Sequence, residues 1–255
     1  MPGRQEHKFV INTSLIPDLR REISPYVIPD NHLALQQSNR YEIRSIYFDT
    51  FGLQDYYEKV FGIQKRKKLR VRGYNQEKND SEVFLEIKRK DNMFVSKDRA
   101  PIHYSKLIAF LESGDLDNYF PHRADFPKAR KSANNFLFYL RRKSMVPLNL
   151  VTYNREAYVG KFNHTDRVTF DSNIRSKMFP NLGDLYTDEG LKVFMDRNFV
   201  LEFKSEQPLP NWFQQIILKH NLKRQAYSKY AHGIDAHYMG SKYISVNEVI
   251  AMSQP

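Results

Sequence analysis

Apolar and polar positions alternate along much of this chain, with the two-residue period of strands that bury one face. Runs of this kind, rich in β-branched and aromatic residues, predict strands over 6–12, 41–49, 68–74, 83–89, 149–159, 167–171 and 199–204. Lesser candidates lie at 94–100 and 191–195. Helical spacing, often behind an N-cap residue or a proline, predicts helices over 14–26, 53–61, 105–113, 128–143, 210–220 and 229–238. Strands dominate and come mostly in neighbouring pairs. The polar, turn-like "GYNQEKNDSE" between the strands at 68–74 and 83–89 suits a hairpin and not a parallel crossover. The expected fold class is α+β: an antiparallel β-barrel of about eight strands with helices packed outside. No linker, low-complexity tract or internal repeat interrupts the sequence, so residues 1–255 read as a single domain.

The polar half of the alternation has an unusual composition. In "KRKKLRVRGY", Arg70 and Arg72 point one way and Leu69 and Val71 the other. The same device recurs: Arg4, Glu6 and Lys8 oppose His7 and Phe9; Glu86 and Lys88 oppose Leu85 and Ile87; Glu202 and Lys204 oppose Leu201 and Phe203. Tyr153 aligns with Arg155, and Arg167, Thr169 and Asp171 oppose Val168 and Phe170. One such strand alone is an ordinary amphipathic strand with a wet face. Repeated, with Arg, Lys and Glu where Thr, Ser and Gln would suffice, the pattern fits a barrel with a polar lumen. Its lumen would hold Glu6, Lys8, Arg70, Arg72, Glu86, Lys88, Arg155, Arg167, Glu202 and Lys204.

That set has seven cations and three carboxylates, and the whole chain carries +11. Like charges enclosed together repel, so a polyanion is needed to complete the lumen. The carboxylates then imply a hard divalent cation bridging to phosphate oxygens, which together describes phosphoryl-transfer chemistry. Arg70 and Arg72 are the strongest candidates, because a guanidinium fork matches phosphate oxygens. Glu202 reads as a metal ligand or a salt-bridge partner, and Glu6 and Glu86 as metal ligands or as anchors for lysines. Asp49 and Thr50 read as a strand-end turn or helix cap.

Cysteine is absent, which excludes disulfides, thiolate metal sites and cysteine nucleophiles. The histidines show no supported ligand spacing, and there is no Ser-His-Asp signature, Walker loop or Rossmann fingerprint. The N-terminus has no apolar run of a signal peptide, and nothing approaches the roughly 18 apolar residues of a membrane span, so a soluble, cytoplasmic protein is expected. "KARKSANNFLFYLRRK" reads as an amphipathic helix with solvated ends.

Several segments, in order, resemble one known family: "EHKFVIN", "RSIYFDT", "KLRVRGY", "FLEIKRK", "SKDRA", "YNREAY", "RVTFD", "LEFK" and "YSKYAHGID". They are similar to the VTC domain, the polyphosphate polymerase module of the triphosphate tunnel metalloenzymes, over about residues 6–235. The resemblance implies an eight-stranded tunnel that grips ATP and a growing polyphosphate chain, with Mn²⁺ or Mg²⁺ held chiefly by Glu202. Implied catalytic positions are Arg70, Arg72, Lys88 and Arg155. Implied phosphate-binding positions are Lys8, Lys97, Tyr153, Arg167, Lys204, Ser228 and Lys229, and Glu86 and Glu6 join Glu202 as metal candidates.

Two departures stand out. Hydrolytic relatives begin with a Glu-x-Glu-x-Lys strand, whereas this chain has Arg4, Glu6 and Lys8, which favours holding phosphate over activating water. Ala226 stands where a basic residue is expected, with Lys223 or Arg224 as substitutes. The alternatives are a triphosphatase on inorganic or nucleoside triphosphate and a non-catalytic polyphosphate or nucleotide sensor. Nucleic acid is not an expected partner, because a narrow lumen admits a phosphate chain but not a duplex. A separate membrane partner for the product is left open.

Overall fold

The structure is a computed structural model and describes residues 5–34, 38–75, 81–91, 94–121, 126 and 128–238. Eight strands form a continuous antiparallel path: β1 (Gln5–Asn12), β10 (Asn198–Ser205), β8 (Arg167–Met178), β7 (Val146–Gly160), β3 (Tyr41–Asp49), β4 (Lys65–Tyr74), β5 (Glu82–Asp91) and β6 (Phe94–His103). Two short strands lie off the path: β2 (Val27–Pro29) pairs with β7, and β9 (Lys192–Met195) pairs with β8. Strands β1 and β6 end the path unpaired with each other, so the barrel is not closed by backbone hydrogen bonds. Side chains bridge the seam instead: Lys88 of β5 reaches Glu6 of β1 at 3.3 Å.

Alternation dictates the layers. On β4 and β5, Leu69, Val71, Val83, Leu85 and Ile87 face outward and are buried under α4 (Tyr104–Ser113), α5 (Leu116–Tyr119) and α6 (Ala129–Arg142). Phe136 of α6 is fully buried there, edge-on to Phe48. On the opposite wall, Phe9, Ile11, Phe170, Leu201 and Phe203 pack under α1 (Ile16–Ile23) and α7 (Asn211–Lys219), with Phe213 stacked on Phe203 at 4.4 Å. Fully burying each such ring or aliphatic side chain contributes about 1.5–3 kcal/mol.

The helix α8 (Lys229–Tyr238) departs from the expected arrangement of helices outside. Its Tyr230 and Ile234 join Tyr47, Val151, Tyr153, Ile174 and Val200 in a cluster on the inner face of the strands. Gly233 permits this approach, since a Cβ there would lie 2.7 Å from Asn149 Nδ2 and 3.2 Å from Ser176 Cβ. Asn149 donates to the Tyr230 carbonyl and Ser176 to the Gly233 carbonyl, both at 3.2 Å, so the helix is fixed to β7 and β8. One part of the barrel interior is thus an apolar floor, and the rest is left for charge. No helix among the described residues is long and apolar enough to cross a membrane.

The strap from β3 into α3 (Gln54–Val60) is pinned by Asp49, as the cap reading of "YFDT" anticipated. Its carboxylate accepts from the amides of Thr50, Asp55 and Tyr56 and from the Tyr230 hydroxyl. Thr50 Oγ1 accepts from the Gln54 amide at 3.1 Å. Both residues are structural.

Candidate active site

Above the floor lies a cavity of about 520 Å³ lined from β1, β3, β4, β5, β7, β10, α3 and the start of α8. Among the described residues, twelve lysines and arginines line it against two carboxylates, Glu6 and Glu202. Seven of these cations, Lys8, Arg70, Arg72, Lys88, Arg155, Lys204 and Lys229, are organised around three acidic centres, two of which are fully buried.

Glu86 is the first. Arg70, directly opposite it across β4 and β5, contacts it at 2.6 Å, with Arg99 at 3.1 Å, Lys97 at 3.4 Å and Arg72 at 3.9 Å. Burial would raise its carboxyl, but Arg70 and Arg72, then Lys97 and Arg99, hold it well below the usual range. Glu86 is fully buried and does not line the cavity, so its carboxylate is placed to aim arginines and not to hold a metal. Arg70 is steered further by donating to the Tyr47 hydroxyl at 2.9 Å, and Arg72 by donating to Ser45 at 3.2 Å.

Asp171 is the second. Its two oxygens accept from Arg155 at 2.6 and 2.7 Å, and one also accepts from Lys229 at 2.6 Å. Burial opposes ionisation, yet Arg155 and Lys229 pull its carboxyl down to about 2. Both cations sit over the Tyr153 ring, at 5.2 and 4.7 Å. The sequence placed Asp171 on the inner face but assigned it no role.

The third centre is the pair Glu6 and Glu202, which does face the cavity. Lys8 lies 3.4 Å from Glu202 and 3.8 Å from Glu6; Lys204 bonds Glu202 at 3.2 Å and Lys88 bonds Glu6 at 3.3 Å. Burial works against the Glu202 charge, but Lys204 and Lys8 hold its carboxyl far down. Among the described residues no three His, Asp or Glu side chains are grouped to hold a metal ion by themselves. Two carboxylates beside a phosphate-sized cavity do fit a hard divalent ion that takes its remaining ligands from phosphate oxygens and water. The expected three-carboxylate set is thus reduced to Glu202 and Glu6.

Of the expected phosphate-binding residues, Lys8, Tyr153, Lys204, Ser228 and Lys229 line the cavity, as do Arg70, Arg72, Lys88 and Arg155. Lys97 is turned toward Glu86 and is not part of the lining. Arg167 is exposed at the start of β8 and also lies outside the lining. Ser228 serves two purposes, accepting from Lys68 Nζ at 3.1 Å and from the Ala231 amide at 3.4 Å as a cap for α8. Ala226 lines the cavity, and of its two expected substitutes Arg224 lines it too. Arg4 lies outside the described residues.

Sequence reasoning missed Lys59, Arg66, Lys68, Lys90, Tyr47 and Tyr230 in the lining. A usable signal existed for β4: Arg66 and Lys68 share the parity of Arg70 and Arg72. Lys68 sits 4.4 Å over the Tyr230 ring. Burial pushes its ammonium down to about 7, Arg66 and Lys59 adding to the shift and Asp55 resisting it. Burial likewise lowers Lys88 to about 8 against the pull of Glu6.

The fold is thus an antiparallel barrel whose interior is split between an apolar floor and a cation-lined cavity. The family model for the VTC domain matches residues 3–238, and the chain belongs to that family. Two solved structures are similar to it at low identity. HpAC1 from Hippeastrum, a protein with a dominant triphosphatase activity, is 13% identical over 91% of this chain and 96% of its own, with a TM-score of 0.44. The Mimivirus capping enzyme triphosphatase is 10% identical over 82% of this chain and 96% of its own, with a TM-score of 0.24. No curated protein matches the chain.

Proposed function

We propose that this protein is a metal-dependent polyphosphate polymerase that transfers the γ-phosphoryl group of ATP to the end of a polyphosphate chain within the cavity. The observation that carries the reading is the charge imbalance of the lining, twelve cations to two carboxylates among the described residues. In the reaction, a terminal oxygen of the chain bonds to the γ-phosphorus, the bond from that phosphorus to the β,γ-bridging oxygen breaks, and the electron pair leaves on ADP. Arg70 and Arg72, held by Glu86, and Arg155, held by Asp171, would fix phosphate oxygens and stabilise charge on the transferred group. Lys8, Lys88, Lys204 and Lys229 would hold the rest of the chain, with Tyr153 and Ser228 placing it. Glu202 and Glu6 would hold Mn²⁺ or Mg²⁺, which would supply neutralisation of phosphate charge.

The attacking oxygen of a phosphate chain is already anionic, so transfer to it needs no general base. The lining is consistent with that: among the described residues it has no histidine, and each of its carboxylates is held by lysines. Activating water in a triphosphatase would call for a base or a group that orients water.

The test is incubation of purified protein with ATP and Mn²⁺, followed by gel analysis of chains and an assay of free phosphate, with Arg70→Ala and Glu202→Gln alongside. Chains made by the wild type and lost in both variants are expected. Free phosphate without chains would assign a triphosphatase, and binding without turnover would assign a sensor.

A further inference from the structure

Toward one end of the barrel the chemistry of its inner face changes. On β4 the inward positions run through Arg70 and Arg72 to Tyr74, and on β5 through Lys88 and Glu86 to Phe84. Phe84 is directly opposite Arg72, and Tyr41 of β3 is directly opposite Arg155 of β7. Side chains opposite each other on one sheet face have Cβ atoms about 4.5–5.5 Å apart. Arg72 and Arg155, which both line the cavity, thus each have an aromatic ring among their cross-strand neighbours.

His32 of α2 (Asn31–Ala34) completes a collar of rings at this end. Its ring is nearly parallel to that of Tyr74, with centroids 5.3 Å apart, and lies 5.7 Å from that of Tyr41. Tyr74 meets Phe84 edge-on at 6.0 Å, and the Arg99 guanidinium sits over the Phe84 ring at 3.6 Å. Tyr41 is buried, but Tyr74 and Phe84 are half-buried and His32 is exposed, which leaves aromatic surface for a ligand to cover. Both tyrosine hydroxyls are already engaged: that of Tyr74 accepts from Arg99 at 2.7 Å, and that of Tyr41 donates to Asp30 at 3.3 Å.

We propose that His32, Tyr74, Phe84 and Arg99 form a stacking site for the base of a purine nucleoside triphosphate whose phosphates occupy the neighbouring cavity. Guanidinium groups that hold phosphate oxygens, set beside rings with uncovered surface, match the two halves of a nucleotide. An inorganic phosphate chain has no group to place on the collar, so the collar separates nucleotides from inorganic polyphosphate. Stacking uses the π-face that every base carries, and the tyrosine hydroxyls are not free to read a base edge. The site therefore selects by ring area and accepts guanine as it accepts adenine. The inference rests on the reading of this cavity as a phosphate site.

The test is titration calorimetry on the full chain in Mn²⁺ with three probes: the β,γ-imido analogues of ATP and GTP, and inorganic triphosphate. The proteins are the wild type, Phe84→Leu, which removes the ring but keeps an apolar side chain, His32→Ala on another element, and a control, Phe138→Leu, on the outer helix α6. Phe84→Leu is expected to lose fivefold or more in affinity for both nucleotide analogues while its affinity for triphosphate stays within twofold. His32→Ala should lose nucleotide affinity in the same direction, the control should change nothing, and the wild type should bind the two analogues within threefold of each other. Equal losses for nucleotides and triphosphate, losses matched by the control, no loss at all, or a tenfold preference for one purine would overturn the proposal. Wild-type protein that binds triphosphate alone would overturn the collar and leave the phosphate reading standing, whereas protein that binds none of the probes would overturn that reading and the collar with it.

Discussion

Asp171→Asn isolates the centre that seats Arg155. The native carboxylate is fully buried and accepts three charge-assisted hydrogen bonds, two from Arg155 and one from Lys229. Asparagine keeps the volume but leaves two cations facing each other without a counter-charge. Removing one partner of a buried pair costs roughly 3–5 kcal/mol. In a chain of this size each kcal/mol moves Tm by about 2–4 °C, so Tm at neutral pH should fall by roughly 6–20 °C. Thermal unfolding followed by circular dichroism reads this directly.

The pH dependence sharpens the test. The folded carboxyl sits at about 2, below its ordinary 3.8, so the unfolded chain binds the proton more readily than the folded one between those values. Its stabilisation is therefore complete above about pH 4 and is lost as pH falls through about 2, roughly 2 kcal/mol in all. The larger figure for the substitution includes the two stranded cations. The Tm gap between wild type and variant should thus be constant from pH 7 to 5 and narrow below pH 4. Polyphosphate should raise the variant's Tm more than the wild type's, because phosphate oxygens replace the missing carboxylate. A gap under 2 °C at pH 7, or one that does not narrow in acid, would refute the reasoning.

Other substitutions probe the remaining parts. Glu86→Gln strands Arg70, Lys97 and Arg99 in the same way, so chemical denaturation should show a loss of roughly 3–5 kcal/mol together with weaker phosphate binding. Burial and the neighbouring Asp49 push the Asp55 carboxyl up to about 7, so its contribution is full below about pH 4 and is lost as pH rises through 7. Asp55→Asn should flatten Tm between pH 5 and 8, and an unchanged slope would reject the assignment. Phe136→Ala empties the space between α6 and Phe48 and should cost roughly 3–5 kcal/mol in urea unfolding. Gly233→Ala sets a methyl 2.7 Å from Asn149 Nδ2 and should cost roughly 1–3 kcal/mol by lifting α8 from the floor, which near-ultraviolet circular dichroism of the buried tyrosines would report.

The alternation in the sequence was enough to place the long strands, because each buries one face against a helix layer. It failed where alternation itself breaks. Strand β8 was legible only to Asp171, since a bulge follows: Asn173 takes φ 49° and the β7 register shifts between Thr152 and Asn154. Beyond it Ile174 and Ser176 continue the strand with the period displaced. Strand β2 is three residues long, too short to show any period. The helix at 229–238 was legible as a helix but not as an interior one, because Lys229, Tyr230 and His232 mix polar and apolar character on adjacent positions.

The site shows the same limit in another form: parity gives a face, not a depth along the barrel. Arg167 has the parity of Thr169 and Asp171, yet it begins its strand and stays exposed, while Asp171, four residues further in, is fully buried. Glu86 has the parity of Lys88, but two residues further along the same strand it is sealed behind Arg70 and Arg99 while Lys88 reaches the cavity. Which charge lines the cavity and which one aims its neighbour is decided by the strand opposite. A carboxylate set against an arginine becomes an anchor, and a lysine set against a lysine is left without an acidic partner on the strand opposite. Cross-strand register is therefore what turns a list of inward charges into a site, and it becomes available from sequence only once the hairpin between β4 and β5 is placed residue by residue.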